Sequence, residues 1–513
     1  MVPPSPGAPW WRTAVVYQIY PRSFADADGD GIGDLDGVRQ HLDHLAWLGV
    51  DAVWLSPFYP SPMADFGYDV ADFCDVDPLF GDLATFDRLV ADAHERGLRV
   101  IVDLVPNHSS DQHPWFVASR SSRDDPKRDW YVWRDGAGPE EPPNNWVGAF
   151  IEGGRAWTWD ETTEQWYLHQ FLPQQPDLNW ANPEVRTAME GVMRFWLDRG
   201  VAGFRIDVVH CIGRDQSFPD DEPPWVGIPH CAINEDPSTH EYIREMRSMV
   251  EGYDGDRVLI GETALPGTRW VAPYYGEDDE LHLAFNFAAT HAPWDAGQWR
   301  RRIERVQEEL DPRGAWPTWV LSNHDVSRHR TRYGGSEARA RAAAVALLGQ
   351  RGTPFLYAGE ELGLEDAVVP PERVVDPGGR DGCRAPVPWE PPAPHGWGPD
   401  PWLPFPPDAD TRAAAVQRDD PASILNLYRR LLAARRGSPA LQLGDLTLLD
   451  LSEGALGWRR QAGDDERVVV LNMSAAPLEI EVAGTVEVAS DGRGQGAPFG
   501  GTLAPDTAVL LRP

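Results

Sequence analysis

Short apolar runs alternate with longer amphipathic stretches over most of the chain. Eight runs have the length and composition of strands: Val15–Tyr20, Ala52–Leu55, Val100–Leu104, Gly203–Asp207, Val258–Gly261, Leu283–Phe287, Trp319–Ser322 and Pro354–Ala358. Between them, apolar residues recur at helical spacing in five stretches: Leu35–Leu48, Leu83–Arg96, Pro183–Arg199, His240–Gly252 and Ser336–Gln350. Eight strands that alternate with helices predict an α/β fold and favour a (β/α)8 TIM barrel. A doubly wound parallel sheet would produce the same alternation.

Two segments interrupt this alternation. The stretch from Ser109 to Pro173 is rich in Trp, Asp, Gly and Pro, and it predicts a lobe inserted after the third strand. The stretch from Gly363 to Pro421 is dense in Pro and Gly and predicts a long irregular loop. We therefore expect the barrel to span residues 1–108 and 174–436, with the inserted lobe at 109–173.

The pattern changes after a helix predicted at Ile424–Arg435. Six short runs of alternating polarity follow: Leu446–Leu451, Ala455–Arg459, Val468–Asn472, Leu478–Val482, Thr485–Ala489 and Ala508–Leu511. Runs of this kind predict an antiparallel β domain, a C-terminal β-sandwich at residues 437–513. Packing against the barrel is its expected role, and carbohydrate binding is the alternative.

Composition narrows the classes of partner and the location. The formal net charge of -34 would repel nucleic acids and anionic membranes, so a small neutral ligand is favoured. Residues Met1–Pro9 lack the basic and apolar regions of a signal peptide, and no apolar run approaches the length of a membrane span. Four cysteines without metal-ligand spacing are expected to be free thiols of a cytoplasmic protein: Cys74, Cys211, Cys231 and Cys383. The oligomeric state is not predicted by any feature of the sequence.

Four of the strand-like runs end in polar residues that include a carboxylate. The four segments are Asp103–His108, Gly203–Asp207, Val258–Glu262 and Leu321–Asp325. In a parallel barrel the carboxyl ends of all strands meet on one face, where active sites lie. The sequence therefore predicts one acidic cleft assembled from distant parts of the chain. Carboxylates at the ends of so many strands also favour the barrel over the doubly wound sheet.

In their order and spacing, these four segments resemble the conserved regions of the α-amylase superfamily of retaining α-glycoside hydrolases (glycoside hydrolase family 13). Three further motifs resemble those of its α-glucosidase and oligo-1,6-glucosidase branch: Asp65–Asp69, Gln175–Asn179 and Arg384–Trp389. The resemblance runs from about Trp11 to the C-terminus. It implies a barrel enzyme that acts on a small neutral oligosaccharide.

Two carboxyl groups carry the chemistry that this resemblance implies. Breaking a glycosidic bond with retention requires a nucleophilic and a protonated carboxyl about 5–5.5 Å apart. Arg205 and Asp207 are two positions apart on a strand, so both side chains point to one face, and the cation favours an ionised carboxylate. The resemblance implies that Asp207 is the nucleophile and that Glu262 is the general acid/base. Considered without the resemblance, Asp207 could form a structural salt bridge, and Glu262 could cap a helix or form an ion pair.

Further residues of the same strand ends are implied to contact the sugar. Asp325 is implied to be the third acidic residue, which holds hydroxyl groups and stabilises an oxocarbenium-like transition state. His108 and His324 are implied to donate to sugar hydroxyls, and Arg205 completes this set. A histidine at a strand end is more often a satisfied core residue, which is the alternative. Asp103 is expected to orient these groups rather than to react.

Asp65, Tyr68 and Arg384 bear on specificity. In the resembling branch, an Asp and an Arg at these motif positions grip the non-reducing-end glucose, and the Tyr stacks on its ring. Such a clamp would close one end of the cleft, so single glucose units would be removed and the internal cleavage of an endo-acting amylase is disfavoured. An ordinary Asp65–Arg384 ion pair that shapes a loop is the alternative.

The loop after the first strand is a candidate divalent-ion site. Its carboxylate spacing approaches that of an EF-hand, but the twelfth position is Gly37 instead of a bidentate Glu, and a strand precedes it. The loop resembles the divalent-ion loop of the α-glucosidase branch. This implies structural Ca²⁺ (or Mg²⁺) held by four carboxylates and one carbonyl group: Asp26, Asp28, Asp30, Asp34 and the carbonyl of Ile32. A solvated acidic turn is the alternative, and no organic cofactor is expected.

Several residues differ from those usual in this branch, so the preferred glycosidic linkage stays open. Oligo-1,6-glucosidases also carry a valine after the nucleophile, so Val208 by itself favours α-1,6 bonds. The stretch Val209–Asp215, the pair Thr263–Ala264 and Ala385 differ from those enzymes. If they line the site of the second sugar, short α-1,4-linked oligosaccharides are slightly favoured.

The residues together predict an exo-acting retaining α-glucosidase that hydrolyses terminal non-reducing glucose from short oligosaccharides by double displacement. A transglucosidase that isomerises sucrose or trehalose on the same scaffold is the alternative, because it differs only in whether water or a sugar intercepts the intermediate. A binding subunit without activity is disfavoured because all three acidic residues are present.

Overall fold

Eight parallel strands form the largest sheet of the protein. The computed structural model describes residues 7–150 and 154–513. The strands are β1 (Val16–Ile19), β2 (Ala52–Leu55), β3 (Arg99–Leu104), β4 (Gly203–Ile206), β5 (Val258–Gly261), β6 (Leu283–Ala284), β7 (Thr318–Val320) and β8 (Thr353–Tyr357). Their spatial order is β7-β8-β1-β2-β3-β4-β5-β6, so strands that follow one another in sequence are neighbours in space. All eight predicted strands are confirmed, although β6 has only two residues.

The barrel closes through a side chain at its one unpaired seam. No backbone ladder joins β6 to β7 within the described ranges. Thr318 bridges the gap instead, because its Oγ1 donates to the Ala284 carbonyl at 2.9 Å and accepts from the Asn286 N–H at 3.0 Å. The predicted (β/α)8 barrel is therefore confirmed, and the doubly wound alternative is wrong.

Both faces of the barrel strands are buried, as expected for a parallel sheet covered by helices. Along β2, Val53 and Leu55 belong to the large cluster that the helices share, whereas Trp54 belongs to a smaller cluster drawn from alternate strand positions. On β3, Ile101 belongs to that second cluster. Because strand side chains alternate, Asp103 has the same orientation as Ile101 and points into the barrel.

Helices surround the barrel, and Asp, Asn or Ser side chains cap the N-termini of the long ones. The predicted helices are confirmed at Leu83–Glu95, Pro183–Asp198, Pro237–Glu251, Glu337–Gly349 and Ile424–Arg436. The helical stretch predicted at Leu35–Leu48 is confirmed as two helices, Leu35–Gln40 and Leu42–Leu48, which meet at His41. The other helices are Trp10–Thr13, Pro21–Phe24, Pro114–Ser121, Thr268–Val271, Ala296–Leu310, His329–Arg332, Ala409–Arg412, Ala414–Asp419 and Pro439–Leu443. None in the described part of the chain is long and apolar enough to cross a bilayer.

The segment after β3 contains a small sheet with a tryptophan-rich core. Its antiparallel strands lie in the order Trp133–Arg134, Gln165–Leu168 and Trp157–Asp160. Trp146 packs in this core, as does Phe218 from the loop after β4. Packing therefore accounts for several of the tryptophans in the lobe. The boundaries 109–173 stay a prediction.

The C-terminal residues form antiparallel sheets on the flank of the barrel. The larger sheet has the order Asp445–Leu448, Ala455–Ala462, Asp465–Asn472, Thr507–Arg512 and Thr485–Ala489, and Leu478–Glu479 pairs with Thr502–Leu503. Trp458 Nε1 donates to the Gly349 carbonyl at 3.0 Å, at the end of the helix Glu337–Gly349. The predicted antiparallel β fold is confirmed, and packing on the barrel is the role that these contacts support. All four cysteines are free thiols, as predicted.

Candidate active site

One guanidinium gathers three carboxylates at the carboxyl end of the barrel. Arg205 lies on β4 and is 2% exposed. Its Nη1 donates to Asp103 Oδ1 and to Asp207 Oδ1, each at 2.8 Å, and its Nη2 donates to Glu262 Oε2. The alternation of strand residues turns Asp103, Arg205 and Asp207 toward the same interior. The structure thus brings Asp207 and Glu262 to one shared cation.

The charges of this cluster do not balance. Three ionised carboxylates around one guanidinium would leave two buried negative charges. Burial raises the pKa of Asp207 well above its usual range, with Glu262 and Asp103 adding to the rise and Arg205 opposing it. Burial likewise raises the pKa of Asp103 to about 7. Arg205 lowers the pKa of Asp207 as expected, but its charge is shared with Asp103 and Glu262 and does not offset the effect of burial.

A proton shared by Asp103 and Asp207 relieves this imbalance. Because these two carboxyl groups interact strongly, their titration belongs to the pair rather than to either residue. Arg205 favours the ionised form of Asp207, which is the form that a nucleophile needs.

The residue after Asp207 has a strained backbone. Val208 lies in the left-handed region with φ 34° and ψ 46°, which is unfavourable for a β-branched side chain. This turn points the Val208 N–H at Glu262 Oε2, 3.2 Å away. The strained turn therefore supplies a second donor to the carboxyl group of Glu262.

Asp325 is held ionised at the mouth of the site. Its Oδ1 accepts from Arg380 Nη1 at 2.9 Å and from Arg384 Nη2 at 3.0 Å, and His324 Nε2 lies 3.3 Å from its Oδ2. Burial would raise the pKa of Asp325, but His324, Arg380 and Arg384 together hold that pKa well below its usual range. The side chain is 29% exposed, so a ligand in the cleft can reach it.

Asp65 forms an ion pair with Arg380, so the alternative in which Asp65 pairs with Arg384 is wrong. A grip of Arg384 on glucose stays a prediction. Arg380 Nη2 donates to Asp65 Oδ1 at 2.6 Å. Arg384 is completely buried behind this pair, where it contacts Asp376 at 3.3 Å and the His324 carbonyl at 2.8 Å. The one sequence feature that could have indicated the Asp65–Arg380 pair is the presence of another arginine, Arg380, four residues before Arg384.

His324 lies between two tyrosine rings behind the cleft. It stacks on Tyr68 at a centroid distance of 5.4 Å and on Tyr20 at 5.7 Å. Its Nδ1 lies 2.7 Å from Gln18 Nε2, and its Nε2 lies 2.6 Å from the Tyr68 hydroxyl. Burial lowers the pKa of His324 to about 3, so the ring is neutral at pH 7. One face of the Tyr68 ring, which was predicted to stack on a sugar, is therefore taken by His324.

His108 is also a neutral, hydrogen-bonded histidine. Its Nδ1 lies 3.2 Å from Asn107 Nδ2, and its Nε2 lies 3.1 Å from Gln175 Nε2. Burial lowers the pKa of His108 to about 4. Gln175 also donates to Asp65 Oδ2 at 3.0 Å, so these polar groups form one connected wall.

The cleft is a cavity of about 320 Å³ lined by both polar and apolar residues. Besides Asp207 and Glu262, its polar lining, called the polar wall below, consists of Asp65, Tyr68, His108, Asp325 and Arg380. Its apolar lining, called the apolar wall, consists of Ala149, Phe150, Phe171, Val208 and Ala264, and the two adjoin where Phe150 packs on Arg380 and Phe171 on His108. Six of the predicted catalytic and substrate-binding residues thus line the cavity, whereas Arg205, His324 and Arg384 lie behind it.

Comparison with known proteins agrees with this arrangement. A family model described as "Alpha amylase, catalytic domain" matches residues 18–444. The chain belongs to the α-amylase family. Within that family, a "Probable alpha-glucosidase" of Rhizobium meliloti is 42% identical over 91% of this chain and 90% of its own. An oligo-1,6-glucosidase of Parageobacillus thermoglucosidasius is 36% identical over 91% and 90% of the two chains.

Solved structures of the α-amylase family match almost the whole chain. The crystal structure of the alpha-glucosyl transfer enzyme XgtA superposes with a TM-score of 0.91 at 40% identity, covering 98% of this chain and all of that one. The trehalulose synthase MutB of Pseudomonas mesoacidophila gives a TM-score of 0.91 at 35% identity, with 99% of this chain covered and 100% of that one. Hydrolase and transferase names thus both occur among the relatives of this α-amylase family member.

The acidic loop after β1 brings three of its four carboxylates together. Oxygen atoms of Asp26, Asp28 and Asp34 lie within 4.8 Å of one another. Asp30 is not part of this group, and its Oδ1 accepts from the Ile32 N–H at 2.8 Å instead. These three carboxylates fit a hard cation, and the full predicted ligand set, with Asp30 and the Ile32 carbonyl, stays a prediction.

The proton shared by Asp103 and Asp207 gives a prediction for the pH profile. Asp103→Asn removes a negative charge that raises the pKa of Asp207, so Asp207 should ionise at lower pH. The acid limb of kcat/KM against pH, which reports the ionisation of the nucleophile, should then move to lower pH. Asp160→Asn is the matched control, because Asp160 is equally buried but pairs with Arg120 in the lobe. An acid limb that stays in place or moves to higher pH in Asp103→Asn would contradict the shared proton.

Proposed function

We propose that the protein is an exo-acting retaining α-glucosidase that hydrolyses terminal non-reducing α-linked glucose from short oligosaccharides. The observation that carries this proposal is the pair of Asp207 and Glu262 on one buried guanidinium, at the floor of a cavity lined by Asp65 and Arg380. Relatives named alpha-glucosidase and oligo-1,6-glucosidase over about nine-tenths of the chain support it.

The reaction proceeds by double displacement. The Asp207 carboxylate attacks the anomeric carbon while Glu262 gives its proton to the leaving oxygen, which forms a glucosyl-enzyme ester. Glu262, now ionised, takes a proton from water, and the water oxygen attacks the same carbon and releases Asp207. Two inversions restore the α configuration.

The polar wall holds the glucose unit. Asp325 stays ionised, so it can accept from sugar hydroxyls and stabilise the positive charge that develops on the ring. Asp65 and Arg380 lie on this wall and offer an acceptor and a donor to the same sugar. Because the Asp65–Arg380 ion pair closes this side of the cleft, only the end of an oligosaccharide fits there. The action is therefore exo.

Transfer of glucose to an alcohol is a second candidate activity, favoured by the apolar wall. The leaving group and the acceptor must lie on the side of Glu262, because Glu262 exchanges its proton with their oxygen. The apolar lining residues nearest Glu262 are Val208, whose N–H lies 3.2 Å from Glu262 Oε2, and Ala264, two positions after Glu262 in the chain, and Phe171 packs with Val208. Apolar surface contacts the aglycone without hydrogen bonds, so acceptors with an apolar part compete better with water there.

Proton NMR of the reaction with maltose, isomaltose, trehalose and sucrose tests the function. The wild-type protein should release α-glucose as the first product, and Asp207→Asn should abolish this release because the ester cannot form. Asp160→Asn serves as a folded control away from the site.

The same spectra separate the alternatives. New glucosides in place of free glucose would assign the protein to the transferases. β-Glucose as the first product, or full activity of Asp207→Asn, would overturn the retaining mechanism.

Arg380 offers a test of the corrected clamp. Arg380→Gln removes a charged donor from both Asp65 and Asp325, and the loss of one such hydrogen bond costs about 1.5–3 kcal/mol, or roughly 10- to 150-fold in kcat/KM for a disaccharide. Arg373→Gln, in the same irregular loop and outside the cavity lining, is the matched control. Equal kinetics for the two variants would exclude Arg380 from sugar binding.

We also propose that Asp26, Asp28 and Asp34 bind a structural divalent cation, Ca²⁺ or Mg²⁺. Their clustered carboxylates support this, because burial and the neighbouring Asp28 and Asp26 raise the pKa of Asp34, and a cation would relieve that repulsion.

Removing the ion should lower stability without changing the chemistry. Chelation should reduce the unfolding temperature, and added Ca²⁺ should restore it, because a ligand of the native state stabilises by mass action. Asp28→Asn should lose this response and keep kcat. An unfolding temperature that is insensitive to chelator would favour a solvated acidic turn.

A further inference from the structure

The turn after β4 places a buried cation among three oxygen atoms. Arg214 is 4% exposed. Its Nη1 donates to Asp177 Oδ2 at 2.8 Å, and its Nη2 donates to Asn107 Oδ1 at 3.1 Å and to the Cys211 carbonyl at 3.0 Å. Asn107 follows β3, Asp177 belongs to the segment that leaves the lobe, and Cys211 follows β4. One guanidinium therefore joins three separate parts of the chain.

The three acceptors form a cage that requires a positive charge. Asp177 and Asn107 are completely buried. A buried carboxylate without a cation is strongly unfavourable, and a set of carboxylate, amide and backbone oxygens is of the kind that holds a hard metal ion. Here the chain supplies the charge itself. Arg214 neutralises Asp177 and its planar fork spans both Asp177 and Asn107, which a lysine could not do.

Two short connections lead from this cage to the cavity, one through a hydrogen bond and one along the backbone. Asn107 Nδ2 lies 3.2 Å from His108 Nδ1. Asp177 closes the segment that carries Gln175, and Gln175 Nε2 contacts both His108 at 3.1 Å and Asp65 at 3.0 Å. His108 and Asp65 are both members of the polar wall.

We propose that Arg214 is a positioning residue, a built-in cation that locks the end of the inserted lobe to the barrel and thereby sets His108 and Asp65 against the sugar. The inference rests on the proposed glucosidase function. Arg214 lies outside the cavity lining and touches no reacting atom, so its effect passes through Asn107, Asp177 and Gln175.

Chemical rescue of Arg214→Ala tests this role. Displacement of the polar wall by about 1 Å should lower kcat/KM for maltose by about 100-fold. Guanidinium at millimolar concentration should restore a large part of it, because it refills the cage with the same charge and shape. Urea, which has the same planar shape without the charge, should not.

A matched variant separates the cage from general loss of a buried arginine. Arg128 is 6% exposed in the lobe and donates to the Ser119 carbonyl and to Thr163. Arg128→Ala should therefore show no response to guanidinium. Unchanged kinetics in Arg214→Ala, or equal rescue by urea and guanidinium, would overturn the proposal.

A second variant covers the case in which Arg214→Ala does not fold. Arg214→Lys keeps the charge near Asp177 but cannot also reach Asn107, so it should fold and keep reduced kcat/KM. Wild-type kinetics in Arg214→Lys would show that the fork is not needed and would contradict the proposal. An inactive wild-type protein would instead contradict the glucosidase function, so the two failures are distinguishable.

Discussion

The structure depends on the shared guanidinium of Arg205. It lies at the point where β3, β4 and β5 end, and it satisfies carboxylates from all three strands. A buried carboxylate must find a cation or keep its proton, and three around one cation must do both. The distance between Asp207 and Glu262 is therefore set by strand geometry and by one rigid side chain.

Other buried arginines around the cleft also contact acceptor groups from several separate segments. Arg380 connects Asp65, from the loop after β2, with Asp325, which follows β7. Arg214 connects the inserted lobe with the turns after β3 and β4. In a chain with a net charge of -34, each guanidinium holds together segments that would otherwise repel. Arginine suits this task because its planar fork can bind two acceptors in fixed directions.

The cleft combines two chemical environments that serve different parts of a substrate. Charged residues such as Asp325 and apolar residues such as Phe171 both line it. The polar wall fits the hydroxyl groups of a glucose unit, whereas the apolar wall offers contact area without directional bonds. Hydrolysis and transfer can share such a site, since both begin with the same glucosyl ester on Asp207. The water or alcohol that next reaches the ester decides between them.

The sequence alone determined the barrel and its principal carboxylates. Strand and helix periods are local properties, and the alternation of strand residues already places Arg205 and Asp207 on one face. The sequence could not decide which arginine meets Asp65, because Arg380 and Arg384 lie in an irregular loop without a period. It also did not reveal that the fork of Arg214 bridges the lobe and the barrel, nor that Arg205 is shared by three acids. Those contacts join segments far apart in the chain, so only tertiary packing, through the need to neutralise buried charge, decided them.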